Sequence, residues 1–135
     1  MKIYLAAQYS WRGVVKGYAK QLEALGFEIT STWLNERKEP GTELTELSDR
    51  FLKEHAKQDL YDIRAADCVI LFTVGPTELT KRGGRHVEFG LGYAMYKQMI
   101  VCGPKENIFH YLDNVKQFDT FEEVVQYLTE GWLRE

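Results

Sequence analysis

The most apolar run in the chain is Cys68-Val69-Ile70-Leu71-Phe72, five residues with no polar side chain among them. A strand of that kind has both faces covered, as in the middle of a parallel sheet, whereas a half-exposed strand alternates apolar with polar residues. Around it, short apolar runs alternate with stretches of helical spacing. Lys2 to Ala7 reads as a first buried strand. Arg12 to Leu25 carries Val15, Tyr18, Leu22 and Leu25 at helical spacing, with Gly26 as its stop. Phe27 to Trp33 reads as a second strand, and Leu34 to Gly41, with Pro40, as a loop. Thr42 can cap a long helix through about Ala65, with Leu44, Leu47, Phe51, Leu60 and Ile63 on or near one face. His86 to Lys97 reads as a helix, Met99 to Cys102 as a fourth strand, Ile108 to Asn114 as a helical turn and Val115 to Phe118 as an edge strand. Thr120-Phe121-Glu122-Glu123 is a capping box, in which hydroxyl and carboxylate satisfy each other's free N–H groups, and it opens the last helix.

Strand and helix alternate along the whole chain, which implies a parallel sheet with helices on both faces and right-handed crossovers. The expected fold is a single α/β domain over residues 1–135, a doubly wound five-stranded sheet in flavodoxin-like order. At 135 residues the chain has room for one domain and a core that needs no metal or disulfide staple. Lys and Arg number 17 against 20 Asp and Glu, a net charge of −3, so there is no broad basic face for duplex nucleic acid. No apolar run reaches the ~18 residues of a membrane span. The opening Met1 to Ala7 reads as a strand and not as a secretory signal. Cys68 and Cys102 both lie inside apolar runs, the habit of reduced thiols in a cytoplasmic protein.

Doubly wound sheets bind ligands beyond the carboxyl ends of their strands. Four loops therefore matter: 8–13, 34–41, 75–85 and 103–108. The third leads through Gly83-Gly84-Arg85-His86-Val87-Glu88-Phe89-Gly90 into a helix. Paired glycines let the backbone approach a ligand, and the free N–H groups of the helix start then point at it. Glu88 falls in the first turn on this reading, where the helix dipole favours the carboxylate by ~0.3–1 kcal/mol. At the rim of the sheet it is a candidate nucleophile, or a first-turn glutamate placed for stability. Arg85, with Lys81 and Arg82, forms a basic cluster that is compensated by an anion, either Glu88 or a phosphate, or else is a solvated loop rich in Lys and Arg. His86 is a candidate acid or base, or a surface residue.

Asp59 lies roughly 12 Å back up the helix that precedes the central strand, at ~1.5 Å per residue, and so toward the ligand edge. There it can orient a sugar or move a proton, or else pair with Lys57 or Arg64. The first loop offers Gln8, Tyr9, Ser10 and Arg12, a set suited to a polar ligand, with phosphate on Ser10, Arg12 and the helix start. Neither a P-loop nor a GxGxxG motif is present. Trp11 and Trp33 are placed to stack a base or to cover the edge of the core.

Taken in order, these segments resemble the nucleoside 2-deoxyribosyltransferase superfamily, which includes deoxynucleoside 5′-monophosphate N-glycosidases. The resemblance covers nearly the whole chain. It is carried by Ile3-Tyr4-Leu5-Ala6-Ala7, by Asp59-Leu60 followed by Ile63-Arg64-Ala65-Ala66-Asp67-Cys68-Val69-Ile70, and by Glu88-Phe89-Gly90. It implies that Glu88 is the nucleophile and that Asp59 acts with it. Two departures stand out: Lys81-Arg82-Gly83-Gly84-Arg85-His86 replaces the usual approach to the glutamate, and Gly92-Tyr93-Ala94 comes two residues late.

The activity implied is cleavage of the N-glycosidic bond of a (deoxy)nucleoside or its 5′-monophosphate through a covalent glycosyl-Glu88 intermediate, with transfer to another base or to water. Gln8, Tyr9, Ser10, Arg12, Trp33, Gly84 and Arg85 are the candidate substrate contacts. No cofactor is called for, and no cluster of His, Cys and carboxylates has metal-ligand spacing. The partners expected are a small nucleoside or nucleotide and, through Phe109, Tyr111, Tyr127 and Trp132, further copies of the chain. No nucleic acid polymer or membrane is expected. A non-catalytic nucleotide-binding or sensor domain on the same fold is the alternative, told apart by retention of ligand without release of base.

Overall fold

The computed structural model describes residues 1–35, 48–73 and 83–131. Its five strands are β1 (Lys2–Ala6), β2 (Glu28–Ile29), β3 (Cys68–Phe72), β4 (Gln98–Cys102) and β5 (Val115–Phe118). All pair in parallel, in the order β2-β1-β3-β4-β5. This is the flavodoxin-like arrangement expected from the alternation, and its switch point lies between β1 and β3. The helices are α1 (Arg12–Ala24), α2 (Asp49–Ala65), α3 (Gly84–Ala94) and α4 (Phe121–Gln126), the last continued by a π-helical turn over Tyr127–Gly131.

Residue parity on β3 sorts the two layers. Val69 meets α3, whereas Phe72, of opposite parity, meets Tyr18 of α1 and Phe121 of α4. Tyr18 and Phe121 stack at 4.1 Å and join α1 to α4 on that side. On the other side α2 and α3 pack beside each other over β1 and β3. All five β3 side chains are buried, as a strand covered on both faces requires. Both cysteines are free and buried, and burial above all pushes both thiols up to about 12.

Four expected boundaries are corrected. The second strand was expected to run from Phe27 to Trp33, but only Glu28–Ile29 pairs and Thr32–Asn35 forms a 3-10 turn. The reason is local: the Ser31 hydroxyl accepts from the Leu5 N–H at 3.1 Å, and the Trp33 indole N–H donates to the Leu5 carbonyl at 2.7 Å. Side chains thus satisfy the edge of β1 where strand pairing would have continued. The expected cap Thr42 lies outside the described residues, but Ser48 is extended and its hydroxyl accepts from the Phe51 N–H at 3.1 Å, so α2 starts at Asp49. Helix α3 starts at Gly84, not His86, after Gly83 in the left-handed region at φ 78°. It ends at Ala94, with Tyr96 at φ 62°, short of Lys97. The capping box is as expected: Thr120 accepts from the Glu123 N–H at 3.2 Å.

Helix α3 lies close on the sheet because Gly92 has no side chain. A Cβ there would come within 2.7 Å of the Val69 Cγ2, and Val69 is fully buried and stiff at χ1. Gly92→Ala removes a helix-interior glycine, a gain of about 1 kcal/mol. It also overpacks the core, a loss of roughly 1–3 kcal/mol. With so rigid a neighbour the loss dominates. A thermal melt should show a midpoint several degrees lower, and an unchanged or raised midpoint would refute this close approach.

Candidate active site

Tyr4 is the anchor of the site. It is paired in register with Val69, so its side chain points to the α2–α3 side of the sheet, where it is fully buried. A buried tyrosine hydroxyl requires a partner. Here it donates to the Glu88 Oε2. Burial, and then the negative charges of Glu88, Asp59 and Asp62, raise the pKa of this hydroxyl, so it remains a donor at any physiological pH. The same three charges mark out the site: Glu88 from α3, and Asp59 and Asp62 from α2, gathered around one phenol. The expected catalytic pair, Glu88 and Asp59, is thus brought together. Asp59 is half-buried, with its Oδ1 shielded from solvent.

Glu88 is not in the first turn, because α3 begins two residues earlier than expected. Helix-dipole stabilisation fades beyond that turn. The tyrosine hydroxyl helps to orient the carboxylate.

Arg85 is placed otherwise than expected. It is 5% exposed, and its Nη2 donates to the Glu106 Oε1 at 2.9 Å. The carboxylate that it pairs with is not Glu88 but Glu106, from the loop after β4. Lys81 and Arg82, the rest of the expected basic cluster, lie outside the described residues. His86 Nε2 stands 3.6 Å from the same Glu106 oxygen. Behind them His110 is fully buried, its Nδ1 accepting from the Glu106 N–H at 2.9 Å and its ring 5.6 Å from that of His86. Burial lowers the pKa of His110, consistent with an acceptor nitrogen. This network ties the β4 loop to the start of α3.

The first-loop candidates lie beyond the carboxyl end of β1, on a 3-10 turn over Tyr9–Trp11 and at the start of α1. Gln8 is half-buried, and its side-chain Oε1 is buried without a hydrogen bond. Ser10 is exposed. The Arg12 guanidinium lies over the Tyr9 ring at 4.8 Å. Gly84 is the exposed first residue of α3. Trp33 is 6% exposed, and Trp11 packs edge-on against Phe72 at 6.0 Å, so both indoles cover the core. Among the described residues no group of three or more His, Cys, Asp or Glu side chains is placed to hold a metal ion. Nor is any described helix long and apolar enough to cross a membrane.

Sequence reasoning missed Tyr4, Asp62, Glu106 and His110. A tyrosine inside a strand buried on both faces was the available signal, since its hydroxyl must find a partner. Glu106 lies in one of the four loops singled out, but nothing local to it announces Arg85, 21 residues away.

A buried phenol aimed at one of three carboxylates, at the switch point of a 2-1-3-4-5 sheet, suits chemistry at a carbon that becomes electron-poor. Solved structures share the architecture, among them two of the nucleoside 2-deoxyribosyltransferase superfamily that the motifs resemble. The 2-deoxyribosyltransferase of Bacillus psychrosaccharolyticus is 25% identical, with a TM-score of 0.69 over 94% of this chain and 92% of its own. The CMP N-glycosidase BcmB of Clostridium botulinum is 22% identical, with a TM-score of 0.60 over 96% of this chain and 99% of its own. No family model and no curated protein sequence matches the chain.

Proposed function

We propose that this chain breaks the N-glycosidic bond of a (deoxy)nucleoside or its 5′-monophosphate, using Glu88 as the nucleophile. The observation that carries this reading is the Tyr4 hydroxyl donating to the Glu88 Oε2, with Asp59 beside them. One carboxylate oxygen is held by the phenol. The other attacks C1′ as the bond to the base loosens through an oxocarbenium-like state. Asp59 assists departure of the base or holds the sugar hydroxyls. Another base, or water, then takes the sugar from Glu88. The names of the two structural neighbours, a deoxyribosyltransferase and a CMP N-glycosidase, support the same bond as the target.

Gln8, Tyr9, Ser10, Arg12 and Gly84 remain the proposed substrate contacts around the crevice. Trp33 and Arg85 serve them from beneath, as cover and as a brace. Ile108, Phe109 and Tyr111 are 58–77% exposed on one turn after β4, and this reading makes them a face for another copy of the chain. Trp132 lies outside the described residues.

The test is chromatographic analysis of products after incubation with deoxynucleosides, ribonucleosides and their monophosphates, with and without an acceptor base. Free base or exchanged base is the expected result. Intact substrate throughout, with ligand still bound, would replace the enzyme by a sensor.

A further inference from the structure

On the turn after β4, Ile108, Phe109 and Tyr111 are exposed, whereas His110 among them is fully buried. Its ring lies edge-on to that of Phe89 of α3 at 5.0 Å. Its Nδ1 accepts from the Glu106 N–H at 2.9 Å. A neutral imidazole accepts at one nitrogen only, so its proton sits on Nε2. That nitrogen is buried and makes no hydrogen bond among the described residues. An asparagine would supply the same acceptor. What the imidazole adds is the ability to take up a second proton. Once Nδ1 is protonated it meets the Glu106 N–H as donor against donor, so this hydrogen bond and the second proton exclude each other.

Glu106 joins the buried ring to α3. Its backbone is held by His110, and its carboxylate holds Arg85 at 2.9 Å in the first turn of α3, one turn before Glu88. The flanks of this loop are fastened elsewhere. The Thr73 hydroxyl donates to the Pro104 carbonyl at 2.7 Å, and the Tyr93 hydroxyl to the Asp113 carbonyl at 3.1 Å. Release of Glu106 therefore frees the stretch between them and leaves the sheet folded. We propose that His110 in its neutral form is a positioning residue for Glu88, seating the first turn of α3 through Glu106 and Arg85, and that protonation of His110 undoes this seat. This rests on the reading of Glu88 as the nucleophile. The charged and titratable groups that act on His110 are His86 and Arg85 of α3, with Glu106 and Lys105 of its own loop. Strand β5 also packs against the turn, and its charged residue, Lys116, is exposed. Burial first, and then charge on His86, holds the His110 pKa below the ordinary value, against the pull of Glu106. The stability that the neutral ring contributes is therefore complete above the unfolded value of about 6.5 and is lost as the pH falls toward the folded one.

The test follows the protein by NMR between about pH 8 and pH 5. At the upper end the ring nitrogen shifts should show His110 Nδ1 without a proton. The amides of Glu106, Arg85 and Glu88 should all shift with the midpoint of the His110 ring, and exchange of the Glu106 amide should quicken about tenfold across it. In His110→Asn, whose amide oxygen stands in for Nδ1, the Arg85 and Glu88 shifts at that midpoint should vanish. With whichever substrate the product analysis identifies, kcat should be about tenfold lower one pH unit below the midpoint, at unchanged KM, and this step should be missing from His110→Asn. At neutral pH His110→Leu, which offers no acceptor, should lower kcat about tenfold, and His110→Asn should keep it within about threefold of the native rate. A protonated Nδ1 at neutral pH, a Glu88 amide that ignores the His110 midpoint, or an acid step that persists in His110→Asn overturns the proposal. If His110→Asn does not fold, the unmodified protein decides, by whether the Glu88 and His110 midpoints coincide. Failure of the enzymatic reading shows separately, as intact substrate, because the amide titrations need no substrate.

Discussion

Glu88→Gln should stop turnover while leaving the ligand bound. The replacement keeps the shape of the side chain, and its carbonyl still accepts from Tyr4, so the packing between α3 and β1 is undisturbed. What disappears is the negative oxygen that attacks C1′ on the proposed mechanism. Loss of a nucleophile costs roughly three to five powers of ten in kcat. Affinity for substrate, measured by calorimetry on the inactive protein, should change by about threefold at most. Rapid-quench and mass analysis give the complementary signature: a glycosylated protein forms with the native chain and not with the variant. Turnover within an order of magnitude of the native rate would remove Glu88 from the mechanism.

The second large effect is on stability, and it is asymmetric. Arg85 and Glu106 form an ion pair in which the arginine side chain is 4% exposed and the glutamate 26%. Glu106→Ala leaves a guanidinium buried without its anion, a loss of about 3 kcal/mol, which is a large part of the usual stability of a domain. Arg85→Met removes the buried charge itself. The carboxylate left behind reaches water and has His86 at 3.6 Å, so this change should cost about 1 kcal/mol. The double variant should resemble Arg85→Met and not the sum of the two. Urea midpoints check the order. Equal losses for the two single variants would mean that the arginine is as well solvated as its partner.

The fold could be read from the sequence because its signals are repeated and local. An uninterrupted apolar run at 68–72 demands cover on both faces, and the bounds of β5 and the Thr120 box fall where expected. The second strand was overextended because edge pairing competes with side chains. Ser31 and Trp33 take over the groups of Leu5, and nothing in their own segment shows that Leu5 is near. The strand–helix order places Glu88 and Asp59 at the same edge of the sheet, and the structure brings both charges to the Tyr4 hydroxyl. Tyr4, Asp62 and Glu106 escaped because each acts through a partner far away in the chain. For the same reason Arg85 was matched to Glu88 or a phosphate, whereas the structure pairs it with Glu106.

Position 92 lies one helical turn beyond Glu88 and on the same face of α3, the face turned to the sheet. The bare backbone there fixes how far the helix stands from the sheet at Val69 of β3, and with it whether a side chain as short as glutamate can reach a phenol rooted in the neighbouring strand β1. A single methyl group at that point would act as a shim under the helix. On the proposed mechanism, catalytic reach is therefore set by an absence, and a variant there loses alignment while it still folds.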